Sequence, residues 1–210
     1  MSGQAVQLVR RTDDSVVEAT LYDGMRPEDL LLVERAWSPE RLRLYEQLLQ
    51  KGVRRDEWPE SLHWDWSKKA PELRFLQATG FGIVYDRSWE GVMLTKTAAH
   101  VARLAEDKGK PLVYVDYLEV APWNWRVLPL ELHGRFKGIG SVLFREAVKQ
   151  SIDEGFHGRV GLHALPQAET YYEKVCGMTA IARDPIKQNL LYFEFSRGRA
   201  QKFLEEGGAT

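Results

Sequence analysis

The sequence predicts a mixed α/β chain, an α+β arrangement around a mixed sheet with a helical segment near the N-terminus. Three observations carry that reading. Residues 112–121, LVYVDYLEVA, alternate along their length as a strand does, and Pro122 ends the run. Residues 141–154 repeat Val142, Phe144, Ala147, Val148 and Ile152 at helical spacing and close before Gly155. Elsewhere, short runs rich in β-branched and aromatic residues alternate with helical patterns.

In chain order, residues 4–22 hold two alternating runs, around VQLV and VVEATLY, parted by the turn-like Thr12, Asp13 and Asp14. Pro27 opens a helix bearing Leu30, Leu31, Val33 and Trp37, and a second helix opens at Ser38 and Pro39. That second helix puts Leu42, Tyr45, Leu48 and Leu49 on one face and stops at Gly52, a left-handed cap. Residues 54–71 scatter Trp58, His63, Trp64 and Trp66 among charges and read as a loop whose tryptophans serve packing. FLQATGFGIVYD and SWEGVMLTKTAA are successive strands joined near Asp86 and Arg87, and residues 101–107 form a short helix. Beyond the helix at 141–154 come a strand at GRVGLHAL, a short helix at QAETYYEKV ended by Gly177, a strand at NLLYFEFS and a polar helix at 197–206. The terminal EEGGAT has the composition of a frayed end.

The 210 residues suit one domain, 1–210, and an apolar fraction of 44% with seven tryptophans is that of a chain that folds by itself. A net charge of -1 leaves no basic field for a phosphate backbone, so no nucleic-acid partner is expected. No apolar run approaches the roughly 20 residues of a membrane span, and MSGQAVQLVRR lacks a signal-peptide core, so a cytoplasmic protein without a membrane partner is expected. Cys176 is the single cysteine and reads as a small buried hydrophobe. The five histidines form no spaced ligand pair, so no metal is expected, and His163 reads as a hydrogen-bonded structural residue.

The stretch with chemistry in it is Arg135, Phe136, Lys137, Gly138, Ile139 and Gly140, with Ser141 opening the helix. Glycine lets a backbone turn tightly and approach a ligand closely, and a helix N-terminus presents unpaired N–H groups with partial positive charge, so such a turn suits a pyrophosphate. The spacing excludes a P-loop, because the lysine precedes the glycines, and it lacks the third glycine of a dinucleotide fingerprint. It is R-x-x-G-x-G.

With this loop placed after a strand ending Val120-Ala121-Pro122, and before a helix, a strand and a tyrosine-bearing helix, residues 112–178 resemble the core of the GNAT superfamily of acyl-CoA-dependent N-acyltransferases. The resemblance implies a splayed central sheet with a pantetheine arm in the gap, paired with backbone groups of Leu118 and Val120. It assigns Arg135, Phe136, Lys137, Gly138, Ile139, Gly140 and Ser141 to the pyrophosphate, makes acetyl-CoA the donor cosubstrate, and makes Tyr172 the acid toward the departing thiolate, with its neighbour Tyr171 as substitute. Three departures stand out: a longer connection at 121–134, one residue too many between Tyr172 and Gly177, and no asparagine near Leu165 and Pro166.

An ammonium cannot attack a thioester, so the acceptor needs a base; Asp116 and Glu119 are the nearest carboxylates, and strand alternation turns them to opposite faces. The function implied is transfer of an acetyl group from acetyl-CoA to a primary amine, on a small molecule or a peptide, in a chain that can pair as a homodimer. The alternatives are a CoA-sensing or scaffold module that lacks turnover, and an acyltransferase using a longer acyl-CoA.

Overall fold

The computed structural model describes residues 2–206, so the last four residues of EEGGAT lie outside the described residues. Nine strands occur among the described residues: β1 (Ser2–Arg10), β2 (Val16–Asp23), β3 (Ala78–Tyr85), β4 (Ser88–Lys96), β5 (Val113–Val120), β6 (Phe136–Lys137), β7 (Val160–Ala164), β8 (Thr179–Asp184) and β9 (Leu190–Glu194). The helices are α1 (Pro27–Gln50), α2 (Trp66–Lys69), α3 (Ile139–Asp153) and α4 (Arg197–Glu205). None of them is long and apolar enough to cross a membrane. The chain forms two compact units, one built from the residues up to Val92 with Glu119–Ile139, the other from Met93–Leu118 with the residues from Gly140 on. β4 and β5 each divide their residues between the two.

In the first unit the strands run in the order β6-β1-β2-β3-β4. β1 and β2 form an antiparallel hairpin registered from Ser2 against Asp23 to Val9 against Val16, as the two alternating runs predict. β3 and β4 are joined by Asp86 and Arg87, both at positive φ (46° and 63°), the two-residue turn whose twist matches that of the flanking strands.

One sequence expectation fails here: the two helices expected around Pro39 are one helix of 24 residues. Proline inside a helix removes one hydrogen bond and costs about 3 kcal/mol. The helix buries Leu30, Val33, Trp37, Leu44 and Leu48 as one stripe, each worth about 1.5–3 kcal/mol, which outweighs the local loss. The buried face also differs from the one read from sequence, since Leu42 is 59% and Leu49 50% exposed. Asp29 holds the N-terminus by accepting the Arg26 N–H at 2.8 Å. Residues 54–71 are 3-10 turns and the one-turn α2 rather than plain loop, with Trp58 and Trp66 buried as packing residues.

The connection at 121–134 is no surface insertion. Its Trp125, Val127 and Leu130 form a core with Leu44 and Leu48 of α1 and with Trp58, so this segment closes the apolar stripe of α1. Gly134 ends it at φ 77°, where a Cβ would lie 2.5 Å from the carbonyl oxygen of Asn124.

In the second unit the order is β4-β5-β7-β9-β8. α3 begins two residues earlier than expected and packs Phe144 against Phe195 and Phe203, with ring centroids 5.4 and 5.7 Å away. The strand at β8 was not legible in the sequence: residues 179–183 are exposed and carry little alternation. Residues 101–107 form no helix. The N–H groups of Arg103 and Leu104 donate to the Glu194 carboxylate at 2.7 and 3.3 Å, which holds this segment in a turn instead.

His163, on β7, is a structural residue. Its Nδ1 lies 2.8 Å from the Tyr114 hydroxyl and its Nε2 3.2 Å from Asp184. Burial, ahead of the opposing pull of Asp184, lowers its affinity for a proton below that of an ordinary histidine. The unfolded chain therefore binds protons more readily at this site, and stability falls as pH drops through and below about 6.5. We expect a His163→Gln variant to show a flatter fall in Tm between pH 7.5 and 5.5 than the parent; an identical fall would exclude His163 as the group responsible.

Candidate functional site

The predicted phosphate loop is partly strand. Phe136 and Lys137 pair with Arg10 and Val9 of β1, and the amides of Arg135 and Phe136 donate to Asn124 Oδ1 at 3.2 and 3.1 Å. Those two amides, expected to bind a pyrophosphate, are thus already taken. The Lys137 ammonium pairs with Asp14, Phe136 is buried against Tyr85, and the Arg135 guanidinium lies over the Trp123 ring at 5.2 Å, still exposed to solvent. The donors left are those of Gly138 and the first turn of α3, whose N–H groups have no partner within the helix. Gly138 has φ 85°, and a Cβ there would meet nothing within 4 Å. The turn needs glycine for its backbone, and the space beside it is open.

In the second unit, the two adjacent tyrosines have different surroundings. Tyr172 is buried between Phe144 and Phe193, with centroids 5.7 and 6.1 Å away. Tyr171 instead sends its hydroxyl to Ser141 Oγ at 3.0 Å, and a Cβ on Gly140 would stand 3.7 Å from that hydroxyl. The cause is the extra residue noted in the sequence: Tyr171–Cys176 is a π-helix, in which the N–H of Gly177 reaches back to the Tyr172 carbonyl. A π-turn absorbs one residue without breaking the chain path and rotates the preceding side chains, here placing Tyr171 rather than Tyr172 over the start of α3. Burial raises the Tyr171 phenol well above the ordinary tyrosine range. Cys176 is fully buried, as expected, and burial pushes its thiol up to about 12, so it stays protonated at neutral pH.

On β5 the register with β7 is parallel and runs from Val113 against Val160 to Val115 against Leu162, then stops, although β5 continues. β5 therefore runs on for five residues past the end of its ladder with β7, which is the splay that the resemblance implies. Val120 belongs to the other unit and packs against the core of Leu44, Leu48 and Trp125.

Both expected bases are held in ion pairs. Asp116 forms an ion pair with Lys96 at 2.7 Å. Glu119 is 3% exposed and is held by the Arg41 guanidinium at 3.1 Å and the Trp66 indole N–H at 2.6 Å. It ties β5 to α1 and α2. Removing one member of a buried ion pair leaves the other charge uncompensated and costs about 3–5 kcal/mol. Arg41 keeps Glu34 at 2.9 Å, which points to the lower end of that range. We expect Glu119→Ala to lower Tm by about 6–12 °C, measured by thermal melt; an unchanged Tm would show the pair to be dispensable.

A carboxylate that sequence reading passed over is Glu90 in β4. It is 1% exposed, and its Oε2 accepts from the Trp123 indole at 2.8 Å and from Asn124 Nδ2 at 2.6 Å. Asn124 thus joins Glu90 to the amides of Arg135 and Phe136 through a single side chain. Burial raises the Glu90 carboxyl above the usual range, the two hydrogen bonds opposing. The available signal was a lone acid followed by the apolar run of residues 92–94.

Comparison with solved structures bears on the fold. FeeM, an N-acyl amino acid synthase from uncultured soil microbes, superimposes with a TM-score of 0.53 at 14% identity, over 88% of this chain and 93% of its own. The fold is of the GNAT type. An uncharacterized protein from Bacillus halodurans shares the same frame, with TM-score 0.55, 8% identity and coverage of 94% of this chain and 93% of that one. The N-acetyltransferase YlbP of Bacillus subtilis in complex with coenzyme A is a more distant match, with TM-score 0.40, 13% identity and coverage of 55% and 66%. No family model matches the sequence, and a search of curated proteins finds no match. At these identities the GNAT-type likeness describes the frame, and the chemistry rests on the side chains.

Proposed function

We propose that the protein transfers an acyl group, with acetyl-CoA as the first donor to test, to a primary amine. The observation that carries this reading is the end of the β5–β7 register at Val115 and Leu162, combined along the chain with the open Gly138 turn that starts α3. An extended strand that runs on past its ladder with β7 suits the amides of a pantetheine arm, and a helix N-terminus suits its pyrophosphate. Gly138, Ile139, Gly140 and Ser141 would hold the phosphates, with Lys137 adding charge nearby.

In the step proposed, the neutral amine attacks the thioester carbonyl, the C–N bond forms and the C–S bond breaks. The sulfur departs with a proton from Tyr171, and the proton lost by the amine passes to a carboxylate or to water. The chain's own contribution is positioning, which can supply a large share of the acceleration in such transfers. The experiment is a thiol-release assay over an amine panel with acetyl-CoA and longer acyl-CoA donors. Release dependent on an amine supports the reading; acetyl-CoA binding with no release from any amine would replace it with a CoA-binding module.

A further inference from the structure

The first unit contains a cleft of about 270 Å³ lined by Arg10, Thr12, Tyr85, Ser88, Glu90 and Arg135, with Asp86 and Phe136 completing the wall. That volume is near the lower bound of roughly 300–1,000 Å³ for ligand pockets, so it suits a metabolite rather than a peptide. Its charges are not joined to one another in ion pairs. Among the described residues neither Arg10 nor Arg135 has an ion-pair partner: Arg10 donates to the Tyr85 hydroxyl at 2.6 Å, and Arg135 rests on Trp123. Glu90 lines the same cleft, and both of its side-chain hydrogen bonds end on Oε2, leaving Oε1 with acceptor capacity.

Two guanidiniums and two carboxylates, the exposed Asp86 at the wall and the buried Glu90 with an unused oxygen, share one small cleft and match a ligand that carries both signs of charge. A simple anion would leave Glu90 facing it, and a simple cation would meet two arginines; each would meet like charge in a partly desolvated site. We propose that this cleft binds a free α-amino acid, its carboxylate on Arg10 and Arg135 and its ammonium on Glu90. The planar fork of a guanidinium recognises a carboxylate through two parallel hydrogen bonds. The Trp123 and Asn124 contacts hold Glu90 in place from the segment at 121–134 and link it to the start of the Gly138 turn. The binding stands on the cleft alone; that the amino acid is the acyl acceptor rests on the proposed function.

The test is calorimetry on the full chain without any acyl-CoA. The twenty standard amino acids are screened first, and the best binder is then compared with its decarboxylated amine and its deaminated acid. We expect the amino acid to bind at least tenfold more tightly than either truncated form. Glu90→Gln keeps an acceptor for Trp123 and Asn124, and should lose tenfold or more for the amino acid and the amine while leaving the acid unchanged. Arg10→Met should show the converse, losing the amino acid and the acid but not the amine. Misfolding cannot produce that crossed pattern. Failure of every amino acid to bind, or equal losses for all three ligands in both variants, overturns the proposal. Thiol release is scored separately: release with other amines but no amino-acid binding removes this inference and keeps the acyl-transfer reading, and amino-acid binding without any thiol release does the reverse.

Discussion

Replacing Gly138 with valine is expected to weaken acetyl-CoA binding at least tenfold, read by calorimetry. Gly138 sits at φ 85°, a conformation that costs an ordinary L-residue about 1–2 kcal/mol and a β-branched one more. The chain then either stores that strain or leaves the conformation, and in the second case the amides that start α3 no longer share one orientation. A factor of ten corresponds to about 1.4 kcal/mol, within the strain alone. The valine side chain also enters space in which the protein itself offers no contact within 4 Å. Gly109 is the matched control: it has φ 82° and equally open surroundings, but lies in a turn at 105–109 and not at the start of α3. Gly109→Val should lose comparable stability and keep its affinity. Unchanged affinity in Gly138→Val, with the fold intact by circular dichroism, would remove this turn from the donor site.

The second large effect concerns the paired tyrosines. Tyr171→Phe should lower the rate of thiol release about 100-fold, at the modest end of what a positioned acid contributes. Tyr172→Phe should stay within about twofold of the parent, since that ring serves the core with Phe144 and Phe193. The pH profile adds a check. Burial disfavours the phenolate and raises the Tyr171 phenol well above the usual range, so it remains a proton donor through neutral and mildly alkaline pH. The parent's rate should therefore not fall between pH 7 and 9 through loss of this proton. Equal rates for Tyr171→Phe and the parent would assign the proton to water.

β5 and α3 were legible because each announces itself by local period: alternation ended by Pro122, and helical spacing closed before Gly155. The R-x-x-G-x-G turn was legible for the same reason, since a left-handed residue beside a helix start leaves glycine as its mark. Other features depend on partners distant in sequence. Pro39 reads as a helix boundary until the stripe from Leu30 to Leu48 is seen to be buried together. Glu119 reads as a lone acid in the sequence, and its partners Arg41 and Trp66 lie 78 and 53 residues away along the chain. The one-residue surplus before Gly177 was visible, but whether it becomes a bulge, a longer loop or a π-turn depends on packing, and that choice sets Tyr171 rather than Tyr172 beside Ser141.

By itself, the sequence determined the α/β order of elements, the strand-turn-helix at 113–153 and the glycine that shapes its turn, because backbone preference and periodicity act between near neighbours. Only the tertiary structure decided which charged groups are spent on one another and which stand outside ion pairs. Asp116 and Glu119 are neutralised by Lys96 and Arg41, while Glu90, Arg10 and Arg135 line one cleft without ion-pairing to each other. The physical reason is that desolvation and ion pairing depend on distance in space, to which position along the chain is blind.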